Sequence, residues 1–223
     1  HDQTCTDLAS QTGIAVASID YALAPEHPYP AALKECSAAF EWLAGGQSPL
    51  GSVGAAWVGG DSAGGNLSLG LCLKHRAERQ AKPDGQLLIY PCTAPDFSYP
   101  SYASQSDAPF LTTALVKMFW EVYLAGAEPD CFAAPALEPD LSDLPPAIVL
   151  TVALDPLVDE GNAMAEALQA AGNDVQPLCA PHLIHGFLEH YSQKSFVIKR
   201  NHDLMMTACF FNGYSFTLLI KNT

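Results

Sequence analysis

Val58-Gly59-Gly60-Asp61-Ser62-Ala63-Gly64-Gly65-Asn66 joins two segments of different hydrophobic period. Before it, Ala55-Ala56-Trp57-Val58-Gly59 is a short apolar run that reads as a strand. After it, Asn66 to Glu78 reads as a helix, with Leu67, Leu71 and Leu73 among its apolar positions. Glycines stand two places before and two places after Ser62, at Gly60 and Gly64. Small residues at those places permit a sharp strand-to-helix turn that lifts the serine oxygen above the sheet edge. The N–H of Ala63 then faces the same space, near the positive end of the following helix. Isolated G-x-S-x-G stretches recur by chance, and a Gly-rich phosphate loop has a similar composition. The strand before and the helix after are what favour the elbow.

Outward from this point, short apolar runs alternate with longer amphipathic ones. Strands are expected at 13–19, 86–90, 147–152 and 175–179, and helices at 31–43, 112–124 and 160–171, with another beginning at Gly186. The loop 22–30 holds three prolines, which fix φ and remove donors, so it is not helical. This alternation indicates βαβ crossovers and a mostly parallel central sheet flanked by helices. The whole chain, 1–223, reads as a single domain, with 195–223 as an atypical tail. That tail is apolar up to Phe211 in a way that suits a last packed helix, and 214–223 has no evident partner.

A serine hydroxyl is a weak nucleophile until a base takes its proton. In a sheet of this kind the acid and the histidine follow the serine in that order, each on a loop after a strand. Asp155 stands nearest the end of the strand 147–152, and Asp159 competes with it, its alternative role being a helix cap. His185 follows the strand 175–179, with His182 and His190 as competitors in loop and helix. His182, His185 and Asp159 also raise a metal reading, but no H-E-x-x-H helix supports it. Phe110, Phe119 and Trp120 lie in the irregular segment, where core packing is the expectation and an acyl pocket the alternative.

At these residues the sequence resembles the hormone-sensitive-lipase-like branch of the α/β-hydrolases, near the bacterial acetyl esterases. The resemblance rests on 20–26 (Asp-Tyr-Ala-Leu-Ala-Pro-Glu), 27–32, the Gly60–Asn66 stretch, Asp155-Pro-Leu-Val-Asp-Glu-Gly161 and His185-Gly186-Phe187. It implies Ser62, Asp155 and His185 as a triad, Ala63 as an oxyanion donor, short-chain acyl esters as substrates, and no cofactor or metal. In that family a His-Gly-Gly-Gly-type motif, which supplies most of the oxyanion hole, lies upstream of the position of His1. The first strands of the sheet and a cap also lie there, so the chain reads as a fragment or a processed product. A serine peptidase of the same triad order and a non-catalytic binding protein of the same fold are the rival readings.

Composition bounds the rest. Ten Lys and Arg against 24 Asp and Glu give a net charge of −14. Nucleic acid is excluded as a partner on that balance, because its phosphates need clustered cations. No apolar run approaches the roughly 20 residues that span a bilayer. The seven cysteines are widely spaced without a C-x-x-C pair, so reduced, mostly buried thiols are expected rather than a disulfide scaffold or zinc module. No leader pattern is evident, and a cytoplasmic location is expected. The oligomeric state is open, a homodimer included.

Overall fold

The computed structural model describes residues 2–49, 51, 53–190, 196–200, 204–208 and 216–221, with side chains described within 4–188. The order is α1 (Asp2–Thr12), β1 (Ala15–Ile19), α2 (Ala31–Ala44), β2 (Ala55–Asp61), α3 (Ala63–Ala77) and β3 (Gly85–Ile89). It continues with α4 (Ser101–Ser104), α5 (Thr113–Leu124), β4 (Ala147–Leu154), α6 (Val158–Ala170), β5 (Val175–Ile184) and α7 (Phe187–His190). Three further strands follow: β6 (Phe196–Arg200), β7 (Leu204–Ala208) and β8 (Phe216–Lys221). The sheet runs β1-β8-β2-β3-β4-β5, and β2 to β5 are mutually parallel.

Strand period explains how both faces of this sheet are covered. Side chains alternate across a strand, so neighbours in sequence serve opposite faces. Val58, Leu88 and Val149 pack into the core under α2, α3 and α6. Trp57, Leu87, Ile89, Ile148 and Leu150 pack into a second core with Leu8 of α1 and Phe187 of α7. Strands buried on both faces read as continuous apolar runs, which is why Ala147–Val152 shows no polar alternation. A third core joins Leu111, Val116, Trp120 and Leu124 near the end of the sheet that carries the site.

The tail departs from the expectations. Phe196–Arg200 and Leu204–Ala208 pair as an antiparallel two-stranded sheet, so the helix expected before Phe211 is not formed over these residues. Residues 209–215 lie outside the described residues. Phe216–Lys221, expected to lack a partner, enters the main sheet between β1 and β2 and is antiparallel to both. The register pairs Ile220 with Ala15 and Ala56, so opposite ends of the chain meet. The helix α1 was also not anticipated; its sequence carries few apolar residues to mark a face.

The cysteines fit the expectation in part. The six described ones form no disulfide, yet only Cys36 and Cys72 are fully buried and Cys179 is exposed. Cys209 lies outside the described residues.

Close packing of α3 gives a stability prediction. A Cβ at Gly70 would lie 2.4 Å from the carbonyl oxygen of Phe132, a backbone atom that cannot swing aside. Overpacking of this kind costs about 1–3 kcal/mol, against a gain in helix propensity of about 1 kcal/mol. Gly70→Ala is therefore expected to lower stability by up to about 2 kcal/mol. Urea unfolding measures it, and a raised midpoint would contradict the packing.

Candidate active site

Three strand ends build the site. Ser62 follows β2, Asp155 follows β4 and His185 follows β5. These strands are parallel, so their carboxyl ends share one edge of the sheet, where open α/β sheets hold ligands. The residues are distant in sequence and converge only because of that shared direction.

At Ser62 the backbone takes φ 53° and ψ −114°, a left-handed value rare for a residue with a side chain. Its N–H donates to the carbonyl of Ile89 at 2.9 Å, which ties the turn to β3. A Cβ at Gly65 would come within 2.9 Å of Pro91, so that glycine lets α3 approach the loop after β3. Strain of this kind costs about 1–3 kcal/mol and persists only where surroundings enforce it. Ala63 is the first residue of α3, and the first N–H groups of a helix have no intrahelical acceptor.

Ser62 Oγ lies 3.0 Å from His185 Nε2, and His185 Nδ1 lies 2.7 Å from Asp155 Oδ2. The carboxylate accepts, so Nδ1 carries the proton and Nε2 is the acceptor facing the hydroxyl. Asp155 Oδ1 accepts a second bond from the Leu157 N–H at 2.9 Å, which fixes the carboxylate plane. Asp155 and His185 are essentially without solvent contact and Ser62 is nearly so. The arrangement can move a proton from the hydroxyl to the imidazole while a fixed negative charge stabilises the cation formed.

The competitors take other roles. Asp159 lies inside α6 and accepts a bond from the Ser101 N–H at 2.8 Å, so it neither caps the helix nor reaches the histidine. His182 is exposed on β5, not on a loop, and the side chain of His190 is not among those described. His182, His185 and Asp159 therefore do not converge.

Two aromatic rings neighbour His185: Tyr90, which the sequence reading missed, and Phe110, for which core packing or an acyl pocket was expected. Tyr90 ends the stretch after β3 at the same sheet edge; its ring centroid is 4.5 Å from that of His185, and its hydroxyl donates to Asp61 at 3.2 Å. The signal was its place just before Pro91, at a strand end. The Phe110 ring centroid is 6.5 Å from that of His185, with the two rings nearly parallel. A Cβ at Gly186 would fall 2.3 Å from the Phe110 ring, so the glycine of His185-Gly186-Phe187 makes room for it.

Beside Ser62 opens a cavity of about 290 Å³, lined chiefly by Tyr21, Leu111, Val116, Phe119, Trp120 and Tyr123. Core packing was the expectation for Phe110, Phe119 and Trp120. Only Trp120 is buried, and it also faces the cavity; Phe119 lines the cavity but is exposed, and Phe110 is exposed beside the histidine.

A nucleophile elbow, a parallel sheet and helices on both faces define the α/β-hydrolase class. A family profile for the alpha/beta hydrolase fold matches residues 1–189, and the chain belongs to that family, in its hormone-sensitive-lipase-like branch. It is 39% identical to Esterase LipI of Mycobacterium tuberculosis (strain ATCC 25618 / H37Rv) over 194 residues, covering 84% of this chain and 60% of the relative. Carboxylesterase NlhH of the same strain is likewise 39% identical over 194 residues, covering 84% of this chain and 61% of the relative. A thermostable esterase from Pseudomonas putida ECU1011 superposes with a TM-score of 0.77 at 34% identity, over 84% of this chain and 60% of that structure. The chain thus spans about 60% of the length of these relatives. Among the described residues, no helix is long and apolar enough to cross a membrane.

Proposed function

We propose that this chain carries the catalytic apparatus of a serine carboxylesterase for short-chain acyl esters. Ser62 is the nucleophile, His185 the general base and then acid, and Asp155 the group that orients the imidazole. The observation that carries the reading is the buried relay with steps of 3.0 and 2.7 Å. The names of the relatives, esterases and carboxylesterases, support ester substrates.

In the first step His185 Nε2 takes the Ser62 proton as Oγ bonds to the ester carbonyl carbon. The carbonyl oxygen becomes an oxyanion, and the Ala63 N–H donates to it. One such donor is worth roughly 100- to 1000-fold in kcat. The tetrahedral adduct then breaks its bond to the alkoxy oxygen, which leaves as the alcohol with the proton from His185. Water gives a proton to the same nitrogen, attacks the acyl-enzyme, and releases the acid as Ser62 regains its hydrogen.

The cavity favours a short acyl group. Its volume of about 290 Å³ lies at the lower end of small-molecule sites, which run about 300–1,000 Å³. The test uses p-nitrophenyl esters from acetate to decanoate beside the matching anilides, with a fluorophosphonate label on Ser62. Turnover highest for acetate or butyrate, with labelling at Ser62, is the expected result. Preference for the anilides would favour a peptidase. A serine that neither labels nor turns over any ester would overturn the catalytic reading.

A further inference from the structure

Glu160 lies in the first turn of α6, and only 1% of its surface meets solvent. Isolated carboxylates are almost never buried so fully without partners. Its Oε1 accepts the Thr93 N–H at 2.6 Å, and its Oε2 accepts the Tyr102 hydroxyl at 2.5 Å. Both partners belong to the segment between β3 and β4 that supplies the cavity wall.

Each partner leads to that wall. The carbonyl of Cys92, next to Thr93, accepts from the Asn66 amide of α3 at 3.1 Å, and Cys92 and Asn66 both line the cavity. The carbonyl of Tyr102 accepts from the Thr113 hydroxyl at 2.7 Å, at the start of α5. That helix carries Val116, Phe119, Trp120 and Tyr123 into the cavity. Ser101 adds two bonds, from its N–H to Asp159 in the first turn of α6 at 2.8 Å and from its hydroxyl to the Pro156 carbonyl, on the loop after β4, at 2.7 Å.

We propose that Glu160 is a positioning residue for ester hydrolysis, locking the acyl-pocket wall, through Thr93 and Tyr102, onto the loop that presents Asp155. The role rests on the esterase reading above, since it concerns how an acyl group is seated. Glu160 itself does not reach the reacting atoms.

Burial pushes the Glu160 carboxyl up to about 8; the bonds from Tyr102 and Thr93 pull it down, and the charge of Asp155 raises it further. Facing it are Tyr102 and Tyr99 from the α4 side, Cys92 from the loop after β3, and Asp155 from its own loop. Between the ordinary value of 4.5 and about 8, the folded chain keeps a proton that the unfolded chain has lost. Its contribution is therefore full at low pH, falls as pH rises through that window, and stays lost above it.

The experiment compares wild type, Glu160→Ala and Glu160→Gln on p-nitrophenyl acetate and butyrate. Glu160→Ala is expected to raise KM for butyrate roughly tenfold while kcat changes less than about threefold, since binding geometry and not chemistry is disturbed. Acetate, which reaches less of the wall, changes less. Glutamine can accept from Thr93 and donate to Tyr102, so Glu160→Gln is expected to restore the wild-type KM. It also flattens the fall in melting temperature between pH 5 and pH 8 that Glu160 causes. Hydrogen exchange read without substrate is expected to speed up at 93–104 and 113–124 in Glu160→Ala, with 63–77 unchanged. An unchanged KM in Glu160→Ala, an equal loss on both esters, or no rescue by glutamine overturns the proposal. Were wild type itself inert on every ester, the esterase reading would fail, and the exchange pattern alone would decide whether the clamp exists.

Discussion

Ser62→Ala is expected to lower kcat on p-nitrophenyl butyrate by about 10⁴- to 10⁶-fold, with KM little changed. The hydroxyl lies 3.0 Å from His185 Nε2, and alanine leaves the imidazole with no serine proton to take. The residual rate would come from substrate binding and from the Ala63 N–H, which the substitution leaves in place. Folding should survive, because the elbow is held by the Ser62 N–H to the Ile89 carbonyl and not by the side chain. Alanine adopts the same φ of 53° that serine already holds, so the backbone strain is common to both and the melting temperature is expected to change little. A variant that folds and keeps more than about a tenth of the wild-type kcat would rule out Ser62 as the nucleophile.

Asp155→Asn is expected to cost about 10⁴-fold in kcat through the histidine tautomer rather than through lost contact. Asp155 makes two bonds as an acceptor, to the Leu157 N–H at 2.9 Å and to His185 Nδ1 at 2.7 Å. Asparagine has one acceptor and one donor end. The Leu157 N–H demands the oxygen, so the amide N–H₂ turns toward Nδ1. His185 must then accept at Nδ1 and carry its proton on Nε2, where it can no longer accept from Ser62. The geometry stays nearly intact while the chemistry stops. Fluorophosphonate labelling of Ser62 should slow in parallel with ester turnover. Equal rates in Asp155→Asn and wild type would mean that Asp155 does not set the tautomer.

The elbow was legible because its information is local. Gly60, Ser62 and Gly64 lie within five positions, and the change of period from strand to helix spans their flanks. The same holds for α5, whose Thr112 side chain accepts the Leu115 N–H at its start. Other features had no local signal. Tyr102 and Glu160 meet across 58 residues, and neither carries a motif that names the other. Phe110 and Phe119 looked like core residues because an aromatic in an apolar pattern has the same composition whether it faces a cavity or a core.

The tail marks the boundary most sharply. Phe216-Thr-Leu-Leu-Ile-Lys has the residues of a strand, but a strand exists only against a partner, and hydrogen bonding between chain ends leaves no period in either. Its slot between β1 and β2 is set by the crossover through α2, which spaces those strands one position apart. Residue order along the chain was enough to indicate a βαβ sheet, an elbow serine, and an acid and a histidine on later strand ends. Those follow from short-range sterics and hydrophobic period. Which aromatic rings flank the imidazole, what lines the cavity, and where the last strand pairs were decided by tertiary packing, because each depends on distances between residues that the sequence keeps far apart.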